Sequence, residues 1–121
     1  MPQILSHLAI IMDGNRRWAR NLGIEVLKGH HRGTDTLMNI SQTAIKEKIE
    51  WLTVFAFSSE NWQRPRAEVR GLLELMKQFV TAQSEDLIDN NIRLRVVGRR
   101  DRFSSELQQS IADVERRSSH N

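Results

Sequence analysis

Two short segments of this sequence hold side chains of the kinds that bind phosphate groups and metal ions. The first, residues 13–18, reads DGNRRW. Its glycine allows a close backbone approach to a ligand, and its two arginines carry guanidinium groups that suit phosphate oxygens. Asp13 would repel phosphate unless a magnesium ion bridges the carboxylate and the phosphate. A capping aspartate in a surface turn, with solvated arginines, is an equally good interpretation of this segment alone.

The second segment, residues 58–65, reads SSENWQRP and follows a strongly apolar run. Its hydroxyl, carboxylate, amide, indole and guanidinium groups could all serve a polar ligand. The alternative is helix capping, with Ser59 or Asn61 as the cap and Trp62 as a hydrophobic lid over the core. Because each residue taken singly favours capping, this segment by itself does not establish a site.

Between them lies a third motif, GHHRG at residues 29–33, which we expect to precede a helix. His30 or His31 could contact phosphate or move a proton, since imidazole titrates near neutral pH. Adjacent histidines point in different directions, so we do not expect the pair to chelate a metal. A surface histidine near a helix start is the commoner situation and remains the alternative.

Alternating strands and helices must position these segments. Residues 8–12 (LAIIM) form a continuous apolar run rich in β-branched side chains, which predicts a strand covered on both faces. Apolar residues at helical spacing then predict a helix over residues 34–49. Residues 51–57 (WLTVFAF) predict a second buried strand.

The remainder of the chain continues the alternation. Pro65 suits the first turn of a long helix that runs to about Asn90, and residues 92–97 alternate as a half-exposed or edge strand. Gly98 ends that strand, and apolar positions from 103 to 114 mark a last amphipathic helix. The long helix carries a stripe that is either plain core or the wall of a slot for a hydrocarbon chain: Leu72, Leu73, Met76, Phe79 and Val80.

The order β-α-β-α-β-α predicts a single α/β domain over residues 1–121, in which helices flank a parallel sheet. Ligands of such sheets bind beyond the carboxyl ends of the strands. Residues 13–18, 58–64 and 98–100 would occupy that rim. The predicted fold therefore favours a shared site for the first two segments.

Composition and charge narrow the classes of function. The chain has 121 residues, a net charge of +3 and no cysteine, which excludes disulfides and thiolate metal sites. A nucleic-acid binder would rest only on basic residues, and no RNA-binding signature is present, so we expect no nucleic acid partner. The apolar run at residues 8–12 is too short for a signal peptide or a membrane span. We expect a cytoplasmic location, with peripheral membrane contact where a lipid-like substrate is drawn from the bilayer.

Taken jointly, four segments resemble undecaprenyl diphosphate synthase and related cis-prenyltransferases: HLAIIMDGNRRWAR, GHHRGTD, LTVFAFSSENWQRP and IRLRVVGRRDRF. The resemblance runs from about His7 to at least Phe103. DGNRRW and FSSENW-x-RP at this spacing are highly specific, so the simpler interpretations above lose most of their weight. Members of this family elongate an allylic diphosphate, such as farnesyl diphosphate, with isopentenyl diphosphate and set a cis double bond in each cycle.

The resemblance also implies roles for particular residues. Asp13 would be the essential acid that binds a magnesium cofactor. Asn61 matches the residue that is proposed to assist proton transfer in this family. We expect Asn61 to orient a diphosphate oxygen or a water, because a neutral amide is far too weak a base. The remaining matched residues would bind substrate: Gly14, Asn15, Arg16, Arg17, Trp18, His30, Ser58, Ser59, Glu60, Trp62 and Arg64.

Two departures from the family pattern qualify that implication. Many relatives have an arginine that holds the allylic diphosphate where this chain has Val26, and Arg16 (often glycine in relatives) or Lys28 would have to compensate. Relatives also continue well beyond Asn121. Their later segment carries the isopentenyl diphosphate site, a glutamate that completes the magnesium site, further strands and much of a homodimer contact.

The chain therefore resembles the N-terminal, diphosphate-binding part of a cis-prenyltransferase without the C-terminal part. We expect a sheet that ends there to leave apolar surface exposed. Two hypotheses follow. Either the protein is a transferase that acts on the two diphosphates, or it is a catalytically incomplete module or partner subunit that holds the allylic diphosphate.

Overall fold

The computed structural model describes residues 5–121, which form two compact units, one ending at Leu72 and the other Leu73–Asn121. The expectation of a single domain stays a prediction. The elements in chain order are β1 (His7–Ile11), α1 (Asn15–Asn21), α2 (Val26–Lys46), β2 (Trp51–Phe55), a 3₁₀ turn (Ser59–Gln63), α3 (Arg66–Ala82), α4 (Ser84–Asp89) and α5 (Ser105–Arg117).

The first unit is built on two parallel strands. β1 and β2 pair directly, with His7 opposite Trp51 at one end and Ile11 opposite Phe55 at the other. Helices α1 and α2 form the connection that parallel pairing requires. The predicted α/β fold, a parallel sheet flanked by helices, is confirmed. Because the strands run in the same direction, the segments that follow Ile11 and Phe55 leave the same edge of the sheet.

The prediction that both strands are covered on both faces was wrong. Along β1 and β2 exposed and half-buried residues alternate strictly. The outer positions include Ile11, Trp51 and Phe55, which are 77%, 60% and 58% exposed. A continuous apolar sequence indicates that both faces suit burial, but in the described part of the chain only one face is even partly covered.

The predicted third strand, residues 92–97, is also absent from the described sheet, which has two strands. The alternation itself is present, because Ile92, Leu94 and Val96 are half-buried while their neighbours are exposed. The backbone N–H of Leu94 donates to Ser118 Oγ at 3.0 Å, and that of Val96 donates to Glu115 Oε2 at 3.0 Å. Side chains of α5 and its C-cap thus take the hydrogen bonds that a neighbouring strand would otherwise receive.

Helix α2 begins eight residues before the predicted start at Thr34 and ends at Lys46 rather than Ile49. The motif GHHRG therefore lies inside the helix rather than before it, contrary to the prediction. Two glycines in one helix cost about 1 kcal/mol each relative to alanine, so helix propensity alone disfavours a helix through this motif. A close contact between α2 and α1, which only glycine allows, offsets this cost.

The predicted long helix that ends near Asn90 is two helices, α3 and α4. Ser84 is fully buried at the break, and its hydroxyl donates to the carbonyl of Thr81 at 3.0 Å. Such local side-chain bonding to the backbone competes with helix continuation. The final predicted helix is present as α5. Ser104 is its N-cap and accepts from the Leu107 N–H at 3.1 Å.

The core of the second unit is a cluster of Val80, Leu107, Ile111 and Val114, each no more than 3% exposed. Leu73, Met76 and Phe79 of α3 pack against this cluster. Val80 is therefore a core residue, and the three half-buried members of the α3 stripe contact that core. Whether the stripe also lines a slot for a hydrocarbon chain stays an open alternative. Among the described residues no helix is both long and apolar enough to cross a membrane.

Candidate active site

The turn after β1 presents Asp13 at the carboxyl edge of the sheet. Gly14 adopts φ 87°, a left-handed conformation that favours glycine. Its N–H donates to Asp13 Oδ1 at 2.7 Å, which orients the exposed carboxylate. Helix α1 begins at Asn15, so Asn15, Arg16 and Arg17 occupy its first turn.

Helix α2 holds this turn in place through its two buried glycines. A Cβ at Gly29 would lie 2.3 Å from the Asn15 carbonyl oxygen and 2.9 Å from Ala19 Cβ. A Cβ at Gly33 would lie 2.5 Å from Asn15 Nδ2. Spaced four residues apart, the glycines share one face of α2 and form a seat for Asn15. The two glycines of GHHRG therefore let α2 approach the start of α1 closely.

The turn after β2 is organised by Ser58 and Asn61. The Ser58 N–H donates to Asn61 Oδ1 at 2.7 Å, and the Ser58 hydroxyl donates to the same oxygen at 3.2 Å. The cap is thus Ser58, with Asn61 as its reciprocal partner, rather than Ser59 or Asn61 alone. Trp62 packs edge-to-face on Phe57 with ring centroids 5.0 Å apart. The capping interpretation is therefore confirmed in part, and a role of this segment in ligand binding stays a prediction.

A residue that the sequence analysis did not single out, Glu68, joins the two turns. Its Oε1 lies 3.1 Å from Arg64 Nη1 and 3.2 Å from His30 Nε2, and its Oε2 lies 3.9 Å from Arg16 Nη2. The glutamate is buried, at 8% exposure. Its spacing of four residues from Arg64 on a helical segment was the available signal. We call these four residues the Glu68 cluster.

The cluster shows which predicted residues the structure brings together. Arg16 follows β1, Arg64 follows β2 and His30 lies on α2, so the three sequence motifs converge on one carboxylate. Arg16 Nε is buried and makes no hydrogen bond within residues 5–121. Of the two residues that could replace the family arginine at Val26, Arg16 is in the cluster. Lys28 is an exposed residue of α2.

Other predicted residues lie outside the Glu68 cluster. His31 is exposed and pairs with Asp35 one turn later, at 3.6 Å. Arg17 and Trp18 lie in α1, and Ser59 and Glu60 lie in the 3₁₀ turn, all outside the cluster. Their roles as substrate ligands therefore stay predictions.

The third segment assigned to the rim, residues 98–100, belongs to the second unit. There Arg100 Nη2 donates to the Val96 carbonyl at 2.7 Å and to Glu115 Oε2 at 2.9 Å. These hydrogen bonds hold the connection between residues 92–97 and α5 in place. Arg100 therefore has a structural role inside the second unit.

Asp13 is the exposed carboxylate that the resemblance assigns to magnesium at this edge. No group of three or more histidine, aspartate or glutamate side chains that could hold a metal occurs among the described residues. Magnesium characteristically keeps several waters and is bound through one or two carboxylates together with substrate phosphates. The exposed Asp13, whose Oδ1 is already oriented by the Gly14 N–H, fits that mode of binding and does not fit a cage made only of protein ligands.

The sequence of this chain is similar to those of known prenyltransferases. A family model described as "Putative undecaprenyl diphosphate synthase" matches residues 11–121. An isoprenyl transferase from Aquifex pyrophilus is 43% identical over 116 residues, covering 96% of this chain and 50% of that protein. The ditrans,polycis-undecaprenyl-diphosphate synthase ((2E,6E)-farnesyl-diphosphate specific) of Pseudomonas syringae pv. tomato is 45% identical over 115 residues, covering 95% of this chain and 46% of that protein.

A solved structure shows that the likeness extends to the backbone. Lavandulyl diphosphate synthase from Lavandula x intermedia, in complex with dimethylallyl diphosphate, superimposes with a TM-score of 0.93 at 31% identity. The match covers 98% of this chain and 51% of that one. The chain thus spans about half the length of the relatives and the structure that it matches.

Together with the backbone match at 31% identity, the parallel sheet and the polar turns after its strands place the chain in the α/β class of prenyl diphosphate synthases. Within that class, the chain belongs to the undecaprenyl diphosphate synthase family.

Proposed function

We propose that this chain provides the allylic-diphosphate-binding part of a cis-prenyltransferase. The enzyme would condense isopentenyl diphosphate with an allylic diphosphate such as farnesyl diphosphate to make a cis-polyprenyl diphosphate. The observation that supports the proposal is that Arg16, in the first helical turn after β1, and Arg64, at the end of the 3₁₀ turn after β2, both approach the buried carboxylate of Glu68. Those turns are the segments that most specifically resemble the family.

The cationic groups suit a polyanionic ligand. Arg16 and Arg64 are permanently charged, and together they exceed the single charge of Glu68. Arg17, the next residue of α1, adds a further guanidinium group. Guanidinium groups bind phosphate oxygens in a fork geometry with charge-assisted hydrogen bonds. We assign Arg16, Arg17, His30 and Arg64 to the diphosphate.

Asp13 is the residue that would hold magnesium. When bound, the ion would neutralise charge that develops on the departing diphosphate. The protein contributes the orientation of the carboxylate, through the hydrogen bond from the Gly14 N–H at 2.7 Å. Loss of this carboxylate should therefore weaken the binding of diphosphate and remove turnover.

Asn61 would position the proton acceptor. Its Oδ1 accepts two hydrogen bonds from Ser58, so its NH₂ group is the end that can donate to a ligand oxygen. That donor can orient a diphosphate oxygen or a water toward the proton that is removed. Gly14, Asn15, Trp18, Ser58, Ser59, Glu60 and Trp62 complete the proposed substrate-binding set.

A second candidate is a binding module or partner subunit without turnover of its own. It rests on which part of the relatives these residues match, which is 46% to 51% of the three relatives compared with them. The resemblance places the isopentenyl diphosphate site in the later half of the relatives, beyond the half that this chain matches. A homodimer, a cytoplasmic location and peripheral membrane contact likewise stay predictions.

The test combines binding and turnover. Calorimetry with farnesyl diphosphate and magnesium would compare the protein with Asp13→Asn, and with Asp89→Asn as the matched control at an exposed position of α4. We expect Asp13→Asn to weaken binding by about 10- to 100-fold, the range for one charge-assisted contact of ~1.5–3 kcal/mol. Asp89→Asn should bind as the unchanged protein does.

Incorporation of radiolabelled isopentenyl diphosphate separates the two candidates. Incorporation that vanishes in Asp13→Asn supports the transferase. Binding of farnesyl diphosphate without any incorporation supports the module. If the unchanged protein binds no farnesyl diphosphate with magnesium present, both candidates fail.

A further inference from the structure

Glu68 is the buried acidic residue of the described chain, at 8% exposure, and it lies in the first turn of α3. A carboxylate in such a position is costly unless it is paired and hydrogen-bonded. The burial is therefore tolerable only because basic groups surround it. None of the roles proposed for substrate or metal contact falls on this residue.

The three partners divide between the two carboxylate oxygens. Arg64 Nη1 and His30 Nε2 share Oε1 at 3.1 and 3.2 Å, while Arg16 Nη2 lies 3.9 Å from Oε2. Arg64 is thus hydrogen-bonded, whereas Arg16 is held by charge at a longer distance. The arginines reach the glutamate from different turns, so one side chain sets the position of both.

The arrangement has an electrostatic consequence. Two arginines and a histidine brought together without an anion would repel one another or swing into solvent. With Glu68 present, the two guanidinium charges and one carboxylate charge leave a net positive charge even when His30 is neutral. The cluster can therefore be assembled before a ligand arrives and still attract an anion.

We propose that Glu68 is a positioning residue that holds Arg16, His30 and Arg64 ready for the diphosphate without contacting it. Long side chains that are ordered in advance lose less conformational entropy when a ligand binds. The Arg16 Nε fits this role, because that buried donor has no hydrogen-bond partner among the described residues. The identity of the ligand rests on the proposed function, whereas the ordering of the arginines does not.

The experiment uses Glu68→Gln, which keeps the size of the side chain and removes its charge. Glu74→Gln, an exposed position on the same helix, is the matched control. Nuclear magnetic resonance of the arginine Nε–H and Nη–H groups, without ligand, reports whether each guanidinium is restrained. In Glu68→Gln we expect the Arg64 and Arg16 guanidinium groups to give the signals of mobile side chains. In Glu74→Gln we expect both groups to remain restrained.

Calorimetry with inorganic diphosphate and with farnesyl diphosphate, both with magnesium, gives the second measurement. We expect binding to Glu68→Gln to be about tenfold weaker, because the ordering of two arginine side chains then falls on the binding step. Unchanged or tighter binding by folded Glu68→Gln would overturn the proposal, since removal of a negative charge alone should strengthen attraction. A residue with a purely structural role would lower the unfolding temperature and leave the arginine signals and the affinity of the folded protein unchanged.

A second variant and the comparison of the two ligands distinguish the possible results. If Glu68→Gln does not fold, Glu68→Asp retains the charge on a shorter arm. If Arg64 is no longer restrained in Glu68→Asp and diphosphate binds more weakly, the proposal is supported. If Arg64 is no longer restrained and the affinity for diphosphate equals that of the unchanged protein, the proposal is contradicted. Glu68-dependent binding of inorganic diphosphate without binding of farnesyl diphosphate supports the inference and refutes the proposed function. Binding of neither probe by the unchanged protein refutes both.

Discussion

The two compact units bury different kinds of residue. In the second unit the buried set consists mainly of large aliphatic side chains, including Leu107, Ile111 and Val114. In the first unit the buried set is small or charged: Ala19, Gly29, Gly33, Ala44 and Glu68. The large apolar side chains Trp51 and Phe55 of that unit are instead exposed.

The difference indicates what burial achieves in each unit. Aliphatic burial removes apolar surface from water and stabilises the fold, at about 25 cal/mol per Å². Burial of glycine removes little surface but lets two helices approach closely, and burial of a paired carboxylate fixes the geometry of its partners. The second unit is packed for stability, and the first is packed to position polar groups.

The largest expected effect on stability lies in the second unit. Ile111 is fully buried in the cluster with Val80, Leu107 and Val114. Ile111→Ala should lower the free energy of unfolding by about 2–5 kcal/mol, because it removes apolar contacts and leaves a cavity. Urea denaturation monitored by circular dichroism measures the change. Val97→Ala, at a residue 91% exposed, is the control and should change little. A loss below about 1 kcal/mol for Ile111→Ala would contradict the comparison.

Substitution of the two buried glycines of α2 should affect the stability of the protein and the binding of farnesyl diphosphate to different degrees. Alanine at Gly29 would meet the Asn15 backbone at 2.3 Å, so we expect a net loss of stability from overpacking of about 1–3 kcal/mol despite its better helix propensity. Alanine at Gly33 would meet only the Asn15 amide, which can rotate away. Gly33→Ala should cost less stability but should weaken binding of farnesyl diphosphate by displacing Asn15.

Thermal denaturation and calorimetry of both glycine variants test this distinction. Gln42→Ala, at an exposed position of α2, controls for helix propensity alone. Equal stability of Gly29→Ala and Gln42→Ala would show that the close contact between α1 and α2 is not rigid.

The smallest expected effect comes from an exposed ion pair of the second unit, which contrasts with the Glu68 cluster. The hydrogen bond from Arg99, together with a backbone hydrogen bond, holds the pKa of Asp101 below its usual value of 3.8. A lowered pKa in the folded state stabilises the protein above the usual value, and that stabilisation is lost as pH falls through the lowered pKa. Both side chains are largely exposed, so solvent screens the pair.

Asp101→Asn should therefore change the unfolding midpoint at pH 7 less than Ile111→Ala or Gly29→Ala does. The small difference should disappear in acid, below the lowered pKa. Denaturant titrations of the unchanged protein and of Asp101→Asn at pH 7 and at low pH measure it. A loss at pH 7 as large as that of Ile111→Ala would show that exposed pairs matter in this protein as much as the apolar core.

The strand and helix predictions show which features of the fold the spacing of apolar residues can predict. Apolar runs located β1, β2 and α5, because side chains in a strand or an amphipathic helix must repeat at the period of the element. The same reasoning failed for residues 92–97, since periodicity describes which side chains are buried and does not reveal a hydrogen-bonding partner. It also failed at Gly29 and Gly33, where a tertiary contact outweighs helix propensity.

Motif chemistry located most of the candidate site but not its centre. Arg16, His30 and Arg64 were recognised because guanidinium and imidazole groups in turns indicate anion binding. Glu68 was missed because a glutamate in a helical, amphipathic stretch is ordinarily solvated. Only its depth of burial distinguishes it, and burial depends on which elements cover it.

The amino-acid sequence by itself determined the family, the parallel α/β class and the residues whose chemistry suits a diphosphate, because these follow from local pattern and side-chain type. The tertiary structure alone decided that three separate motifs share one carboxylate, that GHHRG forms a helical seat for Asn15, and that one face of the sheet is open among the described residues. These facts depend on distances between segments far apart in the chain, and no local pattern encodes such distances.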